Sequence, residues 1–139
     1  MASEEALVLS ANQAFYEAFA RGDLAALEDL WARRAPVACI HPGWSALHGR
    51  EEVIASFSAI LSGGGAPWVR CIRPTASVLG ESAYVVCGEA VDGAELVATN
   101  VFVREDGAWK IVHHQAGPVH RRVVREGGPG HKPRSGMLN

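Results

Sequence analysis

Three side chains in this chain of 139 residues are the candidates to move protons at neutral pH: His41, His114 and Glu89. A free imidazole ionises near pH 6.5, so it can accept or give a proton without a metal. His41 closes the apolar run Val37-Ala38-Cys39-Ile40 and precedes the turn signal Pro42-Gly43. His114 follows His113 in the last apolar run, and neighbours on a strand face opposite ways. Glu89 shares the parity of Val85 and Cys87, which turns it inward. A carboxyl in apolar surroundings has its pKa raised by desolvation, which suits an acid or base role. Each has a structural alternative. His41 could bond the Pro42-Gly43 backbone, the two histidines could be satisfied by neighbouring strands, and Glu89 could lie at a solvated edge. Beyond His41, Trp44, Leu47 and His48 follow the first apolar run, and Trp68 is a further candidate to bind a ligand. Aromatic side chains offer large area to a flat apolar ligand. The spacing of His41, His48, Glu89 and His114 matches no metal motif, so neither metal nor cofactor is expected.

The elements that must position these residues follow from periodicity. Leu7, Ala11, Ala14, Phe15, Ala18 and Phe19 give a first helix one apolar face, with Ser3-Glu4-Glu5 at its start and Gly22 at its stop. Asp23 caps a second helix carrying Leu24, Leu27, Leu30 and Trp31. Residues 37–41 read as a short strand. Gly49-Arg50-Glu51-Glu52 opens a third helix, which the glycines from Gly63 end. Four strands then follow over 68–79, 83–91, 95–104 and 109–116. Pro74 marks an edge or bulge, and Asp92-Gly93 and Asp106-Gly107 mark hairpin turns. Helices segregated from an antiparallel meander define an α+β domain. The consecutive Val101, Phe102 and Val103 make both faces of the sheet apolar, so helices cover one face and a second copy of the chain is expected on the other.

Composition narrows the function classes. Hydrophobic residues make 48% and charged residues 20% of the chain, with a net charge of -2, which excludes a disordered chain or a dedicated nucleic-acid binder. The charge is uneven: residues 1–119 carry -6 and residues 120–139 carry +4, an acidic domain followed by a basic, flexible tail. Cys39, Cys71 and Cys87 are odd in number and lack a CxxC spacing, which suits a reducing cytoplasm. No apolar run is long enough for a membrane span, and the acidic N-terminus is unlike a signal peptide.

The order Gly22-Asp23, Trp31, His41-Pro42-Gly43, Gly49-Arg50 and Trp109-Lys110-Ile111-Val112-His113-His114 resembles the nuclear-transport-factor-2-like superfamily. The branch it is most similar to is the SnoaL-like, or calcium/calmodulin-kinase-association-like, group, over about residues 5–117. The resemblance implies three helices on a curved sheet, a cystatin-like roll forming a cone with one apolar pocket. It implies either cofactor-free isomerisation, cyclisation or dehydration of an apolar or aromatic ligand, or a non-catalytic binding or dimerisation domain. In the steroid isomerases of this superfamily a first-helix Tyr would fall on Phe15, with Tyr16 about 100° away. The isomerase base would fall on His41 or Cys39, and the second oxyanion donor on Val101. That constellation is absent, so the isomerase reaction is not expected. By the same comparison Tyr16, Cys39, Thr99 and Val101 join the ligand-binding set. Thr99 then points inward and Asn100 towards a partner. On the last strand, Lys110, Val112, His114 and Ala116 take the pocket face, and Trp109, Ile111, His113 and Gln115 the dimer face.

Overall fold

The computed structural model describes residues 2–63 and 68–120. The sequence folds into α1 (Glu4–Arg21), α2 (Leu24–Leu30), β1 (Ala38–Ile40), β2 (Leu47–His48), α3 (Arg50–Ser62), β3 (Val69–Leu79), β4 (Ser82–Val91), β5 (Ala94–Glu105) and β6 (Ala108–Pro118). One six-stranded sheet has the order β2-β1-β6-β5-β4-β3. β3 to β6 form the expected antiparallel meander. β1 joins β6 in parallel, and the unforeseen β2 pairs antiparallel with β1. The α+β class is as expected. The basic tail from residue 121 lies outside the described residues.

Local chemistry explains the boundaries. The Ser3 side chain accepts from the Ala6 amide at the start of α1, and Gly22 ends it with φ 67°, a left-handed conformation that glycine adopts without a Cβ penalty. Asp23 caps α2 through the Ala26 amide. The Arg50 guanidinium donates to the carbonyls of Glu28, Trp31 and Ala32, tying the start of α3 to the end of α2. Asp92 and Gly93 both have positive φ, the signature of a two-residue hairpin that fixes register. In β3 the register shifts between Ile72 and Thr75 around Pro74, as that proline foretold.

The core lies between the helices and the concave face, built on Val8, Phe15, Leu27, Trp31, Phe57, Val85, Phe102 and Ile111. Two expected faces are corrected here. In α1 the buried residues are Val8, Asn12, Phe15, Tyr16 and Ala18, while Leu7 is exposed. The inward face is rotated by about one residue, because Asn12 and Tyr16 point inward to polar partners. In β6, Trp109 and Ile111 are buried in the core rather than on a dimer face, and Lys110 and Val112 are partly exposed. A bulge is the cause: Val101 pairs with His113 and Phe102 with Ile111, so Val112 is an extra residue. One inserted residue reverses the facing of everything before it.

Candidate functional site

A cavity of about 360 Å³ opens between α1, α3 and the sheet. Its wall is mostly apolar and aromatic: Phe15, Phe19, Trp44, Phe57, Ile60 and Val69 among others. Four side chains able to exchange protons enter it: Tyr16 from α1, His41 after β1, Glu89 from β4 and His114 from β6.

One hydrogen-bonded frame holds three of them. The Tyr16 hydroxyl donates to Glu89 Oε2 at 2.6 Å. Asn100 Nδ2 donates to the Tyr16 oxygen at 3.1 Å and to Asn12 Oδ1 at 2.8 Å. Asn100 Oδ1 meets His114 Nδ1, its register partner across β5 and β6. Asn12 and Asn100 are almost wholly buried, so these bonds satisfy groups that water cannot reach. Glu89 Oε1 and His114 Nε2 have no protein partner among the described residues. Neither atom is sealed from solvent, so both open onto the cavity.

His41 is held differently. Its Nε2 lies 2.8 Å from Ser56 Oγ. That hydroxyl donates its one proton to the Val53 carbonyl at 2.6 Å, so it accepts from His41 Nε2–H. The ring packs edge-on to Trp44 and Phe57, with centroids 4.8 and 4.9 Å away. The two imidazole centroids are 6.3 Å apart.

Burial sets the protonation states. It lowers the His41 pKa to about 4. Burial, then the nearby His41 and His113, lowers that of His114 to about 3. It raises the Glu89 carboxyl, against the opposing effect of the Tyr16 bond. Burial and then Glu89 also raise the Tyr16 phenol, and the same two causes push the Cys39 thiol up to about 12. At neutral pH the cavity presents two neutral imidazoles and a carboxyl biased towards its protonated form.

The sequence-derived residues divide accordingly. His41, His114, Glu89, Tyr16 and Trp44 meet at the cavity. Cys39 is fully buried behind His41, its Sγ 3.7 Å from the ring Nε2, and does not line the wall. His48 is exposed on β2 and Trp68 is 64% exposed; neither lines the cavity. The inward placement of Thr99 and Val101 is reversed. Asn100 is fully buried on the inner face, which turns Thr99 and Val101 to the outer one. Asn12 and Asn100 were missed as site residues, although the two-residue hairpin that pairs Glu89 with Leu96 carries the inward parity on to Asn100. Phe15 and Val101, two grounds for setting the isomerase reaction aside, are therefore not its test: Tyr16 and Asn100 supply the polar groups here. Among the described residues no group of three or more His, Cys, Asp or Glu is placed to hold a metal ion. None of their helices is long and apolar enough to cross a membrane.

The sequence matches the family described as the SnoaL-like domain over residues 8–119. It is similar to a candidate dehydratase of the nuclear-transport-factor-2-like family from Streptomyces avermitilis, 36% identical, covering 85% of this chain and 97% of that one with a TM-score of 0.78. A candidate calcium/calmodulin-dependent protein kinase type II association domain from Thiobacillus denitrificans is 29% identical, over 81% of this chain and 94% of that one, with a TM-score of 0.68. F-box protein SKIP8 of Arabidopsis thaliana is 30% identical over 78% of this chain. The chain spans about half the length of that curated relative, 48%.

Proposed function

The chain belongs to the SnoaL-like domain family, and on that premise we propose that it is a small-molecule pocket enzyme that eliminates water from a mostly apolar, hydroxylated ligand by cofactor-free acid–base chemistry. The observation that carries this reading is the pairing of Glu89 and His114. Each has one atom locked in a shared frame and one atom open to the same apolar cavity. His114 Nε2 takes a proton from a carbon beside a carbonyl. The Glu89 carboxyl, in the protonated form that burial favours, gives its proton to the departing hydroxyl. The C–H and C–O bonds break, a C=C bond forms and water leaves. Imidazolium and carboxylate remain, and return of the proton resets the site. His41, with Nε2 committed to Ser56, keeps Nδ1 as an acceptor for a ligand hydroxyl. The 36% identity to a candidate dehydratase supports this reading.

The test is a panel of ring-bearing β-hydroxy ketones, followed by the ultraviolet absorbance of the enone product. Glu89→Gln and His114→Gln should each reduce turnover by at least ~100-fold, the usual worth of a placed acid or base, while ligand still binds. Tight binding with no turnover by the native protein would favour a non-catalytic binding domain.

A second reading, compatible with the first, is assembly as a homodimer through the outer sheet face. Leu79, Tyr84, Val86 and Val97 are exposed there, an apolar patch of the kind that marks an interface. The likeness to a kinase association domain supports it.

A further inference from the structure

We infer that Asn100 is a positioning residue: its amide fixes His114 as the Nδ1–H tautomer and so leaves Nε2 as the proton acceptor in the cavity. The inference deepens the proposed reaction and its catalytic consequence rests on it, but the tautomer itself does not.

An asparagine amide can be turned either way, and its direction has to be read from its partners. Here the partners agree. Asn100 Nδ2 has two protons and two acceptors, Asn12 Oδ1 and the Tyr16 oxygen. The opposite face of the amide, Oδ1, is therefore what His114 Nδ1 meets. An oxygen can only accept, so the Nδ1 atom carries the proton. Asn12 holds the direction from the far side, because its own Nδ2 points to Cys71 Sγ at 3.6 Å. That leaves Asn12 Oδ1 towards Asn100.

The turned amide would tell the opposite story. Its nitrogen would face His114 Nδ1 as a donor, forcing the proton to Nε2. The cavity would then see a donor from His114 and lose its base. The chosen direction also fits the charges that the proposed step creates. The Asn100 carbonyl faces the imidazolium, while one of its N–H groups polarises the Tyr16 hydroxyl that donates to the Glu89 carboxylate. A single buried amide dipole thus lies along the axis from new anion to new cation, and needs no reorganisation when they form.

The deciding measurement is a nitrogen-15 spectrum of the His114 ring in the native protein at pH 7. It should show a protonated Nδ1 and an unprotonated Nε2. Asn100→Leu should redistribute the proton to Nε2 or to a mixture. Asn100→Asp, which keeps an acceptor at the same place, should restore the Nδ1–H form. Tyr16→Phe, which removes the Glu89 contact and one of the two Asn100 acceptors but leaves Asn12 Oδ1 to hold the amide's direction, should leave the His114 tautomer unchanged. A native spectrum with the proton on Nε2 overturns the inference whether or not any variant folds. With a turned-over ligand, Asn100→Leu should lower kcat by ~10²- to 10⁴-fold, the scale of a wrong tautomer, with KM nearly unchanged and Asn100→Asp recovering part of the loss. If the native tautomer is as stated but no ketone in the panel reacts, the dehydratase reading fails and the positioning of His114 stands.

Discussion

The Tyr16 hydroxyl donates to Glu89 Oε2 across 2.6 Å in a site where burial disfavours the carboxylate. Two opposing effects act on one carboxyl, and the hydrogen bond is the weaker. Tyr16→Phe removes that bond at almost constant shape. The Glu89 pKa should therefore rise further, and one Asn100 N–H loses its acceptor. Stability should fall by about 1–3 kcal/mol, the cost of stranding a buried polar group. A carbon-13 titration of the Glu89 carboxyl, with urea midpoints for both proteins, checks both effects. An unchanged Glu89 midpoint would show that the bond does not act on its ionisation.

The two histidines set the pH dependence of stability. Their folded pKa values, about 4 for His41 and about 3 for His114, lie below the ordinary 6.5. The unfolded chain therefore binds more protons between these values, so stability is full above pH 6.5 and is lost as pH falls. Each proton contributes a slope of up to about 1.4 kcal/mol per pH unit. Glu89, raised from 4.5, acts with the opposite sign: its contribution is lost as pH rises through its folded pKa. Urea midpoints from pH 7 to pH 5 should fall in the native protein and fall less in a His41→Gln, His114→Gln double variant. Equal slopes would contradict the buried, neutral state of both rings.

Much of the fold was legible because its punctuation is local. Gly22, Asp23, Asp92-Gly93 and Asp106-Gly107 each mark a boundary through backbone chemistry that neighbours alone determine. The inward facing of Glu89 followed from the period of two along Val85 and Cys87. The same rule failed in β6, because the extra Val112 leaves no mark in composition and reverses the parity of Trp109 and Ile111. It failed for Thr99 and Asn100 through comparison with other proteins' positions, where the Asp92-Gly93 register pointed the right way. In α1 an apolar-face reading passed over Asn12 and Tyr16, which are buried only because partners from β3, β4 and β5 meet their polar atoms. Such cross-element satisfaction has no sequence period.

Glu105 gives a structural counterpart to the site. Its carboxylate accepts the amides of Arg33, Arg34 and Ala35 at 2.9–3.0 Å, fastening the link between α2 and β1 to the end of β5. Those amides, Arg33 and Ala35 foremost, hold its pKa down to about 2. Glu105→Gln puts an NH₂ where an acceptor is needed, and should cost about 1–3 kcal/mol at pH 7. A depressed carboxyl contributes fully above the unfolded value of 4.5 and loses its contribution as pH falls towards 2. The gap between native and variant urea midpoints should narrow below pH 4.5. A gap independent of pH would mean the charge is not what the three amides bind.

The proposed dimer can be tested on the outer face without touching the cavity. Val86 and Val97 are 40% and 47% exposed, and both side chains point away from the helices. Burying either against a second copy gains roughly 25 cal/mol for each Å² of apolar surface removed from water. Placing a carboxylate at both positions would bury unpaired charge in such an interface, which is far more costly than the lost apolar contact. Val86→Glu with Val97→Glu should therefore convert a dimer to a monomer in size-exclusion chromatography with light scattering. Neither residue borders the Tyr16–Asn100–His114 frame, so the His114 nitrogen-15 signature should persist in the monomer. A native protein that is already monomeric at micromolar concentration would leave the apolar face without the partner proposed for it.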